Sequence, residues 1–136
     1  MNELQPGITR EQTFTVAHPM TAAAIFASTP SEVRDMPAVW STPDMIAKME
    51  VVAAAAVVAL LPEGQITVGS RNEVSHLGAT PVGKTVRVRA ILASVDGRKL
   101  TFQVEAYDEK EKVGEGVHVR YVVDRAKFLS RLAEKS

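Results

Sequence analysis

Residues 40–61, WSTPDMIAKMEVVAAAAVVALL, decide how the rest of the chain is read. They read as one long helix. Thr42 or Ser41 offers an N-cap oxygen to a first-turn N–H. Pro43 suits the first helical position, where a missing N–H costs nothing. Asp44 places negative charge at the positive end of the helix dipole. Pro62 and Gly64 end the helix. From Val51 to Leu61 every side chain is apolar, which predicts a helix with no solvent face, wrapped by other structure. The run is shorter than the roughly 20 residues of a membrane span. Glu50 stands immediately before it. A carboxylate in that place either pairs at the core edge, with Lys48 or a distant arginine, or is held in a pocket as general base or nucleophile.

The chain has 136 residues, enough for one domain, 1–136, with a real core. Lys plus Arg and Asp plus Glu number 16 each. That balance argues against a nucleic-acid partner, which calls for a basic face. The absence of cysteine excludes disulfides, cysteine-based zinc sites and thiol catalysis. The start, MNELQPG, lacks a basic region followed by an apolar one, so no signal peptide is read and a cytoplasmic location is expected.

Outward from the helix, residues 8–17 read as a first strand with Phe14 and Val16 on one face. Residues 18–40 are weakly patterned: a short helix in HPMTAAAIFAS, then an irregular stretch that serves either as a connector or as a lid-like binding loop. After the helix, residues 65–77 alternate, with Ile66, Val68, Ser70, Asn72, Val74 and His76 on one face. Gly69 within them marks a bulge or a close approach. Residues 84–95 put Val86, Val88, Ala90 and Leu92 on one face. Asp96-Gly97 is a hairpin signal, and residues 98–107 follow with Leu100, Phe102, Val104 and Ala106 together. Residues 113–123 place His118, Arg120 and Val122 on one face, and residues 124–135 form a short amphipathic helix. The order predicts an α+β fold: a mostly antiparallel sheet wrapped around one long apolar helix.

Three constellations carry possible chemistry. Glu50 with His76 pairs a carboxylate with a group that titrates near neutrality, although spacing cannot show that they meet. Thr42 is either the N-cap or a hydroxyl that orients a reacting group. Eight helical residues cover about 12 Å, so Thr42 and Glu50 would need a second subunit or a folded-back loop to cooperate directly. His118-x-Arg120 is either a solvated or interface ion pair, which is slightly favoured, or an anion-binding pair. Arg87 and Arg89 share a face, either to meet an anionic ligand or as ordinary exposed strand arginines. No phosphate-binding glycine loop, Gly-x-Ser-x-Gly or His-Glu-x-x-His occurs, and three scattered histidines make no metal-site signature.

Taken together, several pieces resemble one family: Pro6-Gly7, Thr42 and Glu50 about the helix, Gly69 and His76 on the next strand, Ser94 to Leu100 at the hairpin, Val104 to Asp108, and Gly114 to Arg120. Over about residues 5–133 the chain resembles the hotdog-fold acyl-CoA thioesterases, specifically the fluoroacetyl-CoA thioesterase-like group. The resemblance implies a homodimer joined edge to edge, an acyl-CoA substrate, hydrolysis by water, and no cofactor besides the CoA of the substrate. It also implies catalytic roles for Thr42, Glu50 and His76, and places Gly69 and Arg120 near the site. Acyl selection is expected in the 18–40 segment, with Val33 and Met36 as substrate-binding residues. That segment is poor in aromatics, so the fluoroacetyl preference is not carried over, and another acyl-CoA, of short or medium chain, is expected. A non-catalytic acyl-CoA-binding module, or a hydratase or dehydratase on the same fold, are the alternatives.

Overall fold

A computed structural model describes residues 3–28, 33 and 35–136. Its strands are β1 (Thr9–Thr15), β2 (Gln65–His76), β3 (Thr85–Asp96), β4 (Lys99–Tyr107) and β5 (Lys112–Asp124). They form one antiparallel sheet in the order β1-β3-β4-β5-β2. Among the described residues three α-helices accompany it: α1 (Ala22–Ala27), the central α2 (Thr42–Val57) and α3 (Arg125–Ala133). Gly97-Arg98 turns the β3–β4 hairpin between the paired Asp96 and Lys99, and Gly97 takes the positive φ that the turn demands. Of the irregular stretch expected after α1, residues 29–32 and 34 lie outside the described residues.

The core forms where α2 lies on the sheet. Met45, Met49, Val52, Ala53 and Val57 meet the alternating faces of β3 (Val86, Val88, Ala90, Leu92) and β4 (Leu100, Phe102, Val104, Ala106). Period 3.6 on the helix and period 2 on the strands produce two matching apolar surfaces. On β5, Gly114 leaves the room that the Met45 and Met49 side chains fill.

Two expectations fail here for physical reasons. The α-helix stops at Val57 and tightens into a 3-10 turn at Val58–Leu60 before Pro62. More importantly, α2 is not wrapped all round. Val51 is 53% exposed and Val58 61%, and Pro43 and Ala47 lie on the same open stripe. An apolar sequence shows that a helix needs covering, not that its own chain supplies the cover. The second failure is in β2. Its pairing with β5 shifts register between Gly69 and Arg71, as the glycine signalled. The extra residue flips the strand. Thr67 and Gly69, not Ile66 and Val68, therefore share the inner face with Asn72, Val74 and His76.

β1 and β2 are the sheet edges. An exposed strand of 12 residues with apolar helix surface beside it is a ready template for another strand.

Candidate active site

The site begins at the cap of α2. Ser41, not Thr42, is the N-cap: its Oγ accepts from the Asp44 N–H at 3.1 Å. Thr42 is left as the first helical residue with its hydroxyl available, and that hydroxyl lies 2.7 Å from His76 Nδ1 at the end of β2. The Trp40 ring stands edge-on to the imidazole, with centroids 6.2 Å apart. Trp40 is itself fixed, since its Nε1–H donates to Asp44 Oδ2 at 2.8 Å. Lys48 also turns to Asp44, at 3.1 Å, rather than to Glu50. His76 Nε2 is buried without a hydrogen-bond partner among the described residues. Burial holds the His76 pKa below the ordinary histidine value, with the Gly78 backbone opposing in part. The result is a neutral ring, anchored at one nitrogen and uncommitted at the other, that can accept or deliver a proton. An open cleft of about 350 Å³ lies over this pair, walled by Met36, Pro37, Val39 and Trp40. Val33 is 48% exposed.

Glu50 belongs to a second cluster, two turns further along α2. Its Oε2 accepts from Asn72 Nδ2 at 2.9 Å, and its Oε1 lies 3.5 Å from Arg120 Nη1. Of the solvated or interface ion pair that the strand pattern favoured, the solvated form does not hold: Arg120 is 8% exposed and His118 is fully buried. Thr67 receives Arg120 Nε on its hydroxyl and Nη2 on its carbonyl, both at 2.9 Å. Burial lowers the pKa of both Arg120 and His118. Gly69 leaves the Glu50 carboxylate its place: a Cβ there would lie 2.8 Å from Glu50 Oε1 and 3.2 Å from Arg120 Nη1. Glu50 and Arg120 border an apolar groove of about 450 Å³ formed by Pro43, Ile46, Ala47, Val51 and Ala54.

The chain thus brings Thr42 and His76 together, and separately Glu50, Gly69 and Arg120. Glu50 and His76, paired as a sequence candidate, make no hydrogen bond within one chain; α2 holds Thr42 and Glu50 about 12 Å apart. Asn72 and Thr67 complete the Glu50 cluster and were not singled out from sequence. Asn72 carried a signal, because strand alternation puts it on the face of His76. Thr67 carried none until the bulge was seen. Arg87 behaves as read, pairing with Glu11 at 2.9 Å on an exposed surface.

Sequence and fold both match known proteins. Residues 16–126 match the family described as FlK, the fluoroacetyl-CoA-specific thioesterase. The fluoroacetyl-CoA thioesterase of Streptantibioticus cattleyicolor is 34% identical over 123 residues, covering 90% of this chain and 88% of that one. A crystal structure of the fluoroacetyl-CoA thioesterase FlK superposes with a TM-score of 0.93 at 32% identity, covering 99% of each chain. A thioesterase-superfamily protein of Thermus thermophilus superposes at 0.86, with 27% identity and coverage of 99% of this chain and 97% of that one. The chain, an α+β hotdog fold, belongs to the fluoroacetyl-CoA-specific thioesterase family.

Proposed function

We propose that this protein hydrolyses an acyl-CoA to a carboxylic acid and free CoA, at a site completed by a second copy of the chain. The observation that carries the reading is the split site: a Thr42–His76 pair and a Glu50–Arg120 cluster at different points along an exposed edge strand. Antiparallel pairing of β2 with β2 of a second copy lays the His76 end of one strand beside the Gly69 region of the other. There the partner's Glu50 comes toward Thr42 and His76. The same pairing covers the apolar stripe of α2 that its own chain leaves open. A two-fold dimer contains two such sites.

In this reading Glu50 acts on the thioester carbonyl, either by taking a proton from the attacking water or by adding to the carbonyl itself. Water attack forms a C–O bond. The tetrahedral intermediate then breaks the C–S bond, and the proton that Glu50 took from water passes through His76 to the leaving CoA thiolate, which returns both groups to their starting states. Thr42 holds the imidazole through Nδ1. Backbone N–H groups near Gly69 stabilise the oxyanion, and Arg120 holds the Glu50 carboxylate in place. CoA enters as part of the substrate, and the reading calls for no further cofactor or metal. Met36, with Pro37 and Val39, gives the acyl pocket an aliphatic wall, which suits a short or medium acyl chain; Val33 lies three residues before Met36 on the same segment.

The test is free-thiol release from acetyl-, fluoroacetyl-, butyryl- and hexanoyl-CoA, with Glu50→Gln alongside. Release by the native chain and a loss of at least about a hundredfold in Glu50→Gln are expected. CoA esters that bind without thiol release, or crotonyl-CoA hydrated without it, would overturn the assignment.

A further inference from the structure

His118 is fully buried, stacked near Phe102 with ring centroids 6.4 Å apart, and the roles assigned above leave it without a task. Its partners determine its state. Nδ1 lies 2.9 Å from the Arg71 carbonyl, and a carbonyl only accepts, so Nδ1 carries the hydrogen. Nε2 lies 3.1 Å from Arg120 Nη1, and a guanidinium only donates, so Nε2 presents a lone pair. One neutral tautomer satisfies both contacts, and a doubly protonated ring would set a hydrogen against the Arg120 N–H.

Arg120 is thereby gripped on every nitrogen. Thr67 takes Nε and Nη2, and His118 takes one N–H of Nη1. The remaining N–H of Nη1 faces Glu50 Oε1 at 3.5 Å. The Thr67 contacts hold one edge of the planar guanidinium; without the His118 contact the plane could rock about that edge, and Nη1 would lose its own acceptor.

We infer that His118 is a positioning residue for hydrolysis: its Nε2 lone pair aims the Arg120 guanidinium at Glu50 and so fixes the reacting carboxylate. The inference rests on the thioesterase reading and on Glu50's role in it. The charged groups facing the ring are Arg120 on its own strand and Glu50 from α2; Arg71 presents its backbone carbonyl, and its side chain pairs outward with Glu73.

Two substitutions separate positioning from simple filling of space. A glutamine amide reaches the place of Nε2 and can accept from Arg120, whereas an asparagine amide reaches the place of Nδ1 and can only serve the Arg71 carbonyl. On the fastest substrate of the acyl-CoA panel, His118→Gln should keep kcat within about threefold of native. His118→Asn should lose about tenfold or more in kcat with KM within about twofold, the pattern of a group that acts on the transition state. Imidazole nitrogen NMR of the unsubstituted protein supplies a readout that needs no variant: His118 should show a protonated Nδ1 and a bare Nε2. Equal loss in both variants, full activity of His118→Asn beside an inactive Glu50→Gln, or an Nε2–H tautomer would overturn the inference. Full activity of Glu50→Gln would overturn the thioesterase roles as well, so the two failures are distinguishable.

Discussion

At Gly69 the first atom of any side chain would enter the space of the Glu50 carboxylate. The atom displaced is the far end of a flexible side chain. The fold can therefore absorb Gly69→Ala while the carboxylate cannot keep its place. Thiol release by Gly69→Ala should fall at least about tenfold while the melting temperature stays within a few degrees of native. A native rate would show that Glu50 tolerates displacement. The histidines make a pH prediction. His76 and His118 are both held below the ordinary value of 6.5 by burial. Below that pH the unfolded chain takes up protons that the folded chain resists, so stability falls as pH drops. Stability should be level above about pH 6.5 and decline progressively below it, as read by urea midpoints. His118→Gln should shallow that decline, and an unchanged slope would contradict burial as its cause.

The α2 helix shows how a cap divides labour between adjacent residues. Ser41 closes the first turn, so Thr42 is left to serve His76. Ser41→Ala should destabilise the fold by about 1 kcal/mol in denaturant titration. Thr42→Ala should leave stability nearly native and depress turnover; the reverse outcome would exchange their roles. Much of this element was legible in sequence, because Ser41-Thr42-Pro43-Asp44 is helix-start chemistry and Pro62-Gly64 a stop. The inner faces of β3, β4 and β5 were legible too, since Val86 to Leu92, Leu100 to Ala106 and His118 to Val122 each alternate, and the register shifts after Leu92 and Ala106 fall at the ends of those runs. What failed depends on structure beyond the local pattern. Counting by twos along β2 works until Gly69, and no rule of alternation locates the extra residue. His76 and Thr42 lie 34 positions apart. Only the sheet order places β2 beside the start of α2. Residue chemistry alone pointed at Glu50, His76, Thr42 and the His118–Arg120 pair without joining them; their roles in one site came through family resemblance.

For the molecule as a whole, the open stripe of α2 and the bare edge of β2 are two faces of one unmet need. Val51 sits in that stripe beside Glu50. Val51→Glu adds a charge that pairing would bury, so sedimentation should show a shift from dimer toward monomer, with turnover falling in parallel. A dimer of unchanged strength would place the interface elsewhere. The central claim is that one site draws Thr42 and His76 from one protomer and Glu50 from its partner. Mixing Thr42→Ala chains with Glu50→Gln chains tests it most directly. Each homodimer has only damaged sites, but a mixed dimer regains one intact site if the residues come from different protomers. Unfolding and refolding the two together should then restore roughly a quarter of native thiol release. If the mixture stays as inactive as its two components while mixed dimers are present, the site lies within a single chain and the account is contradicted.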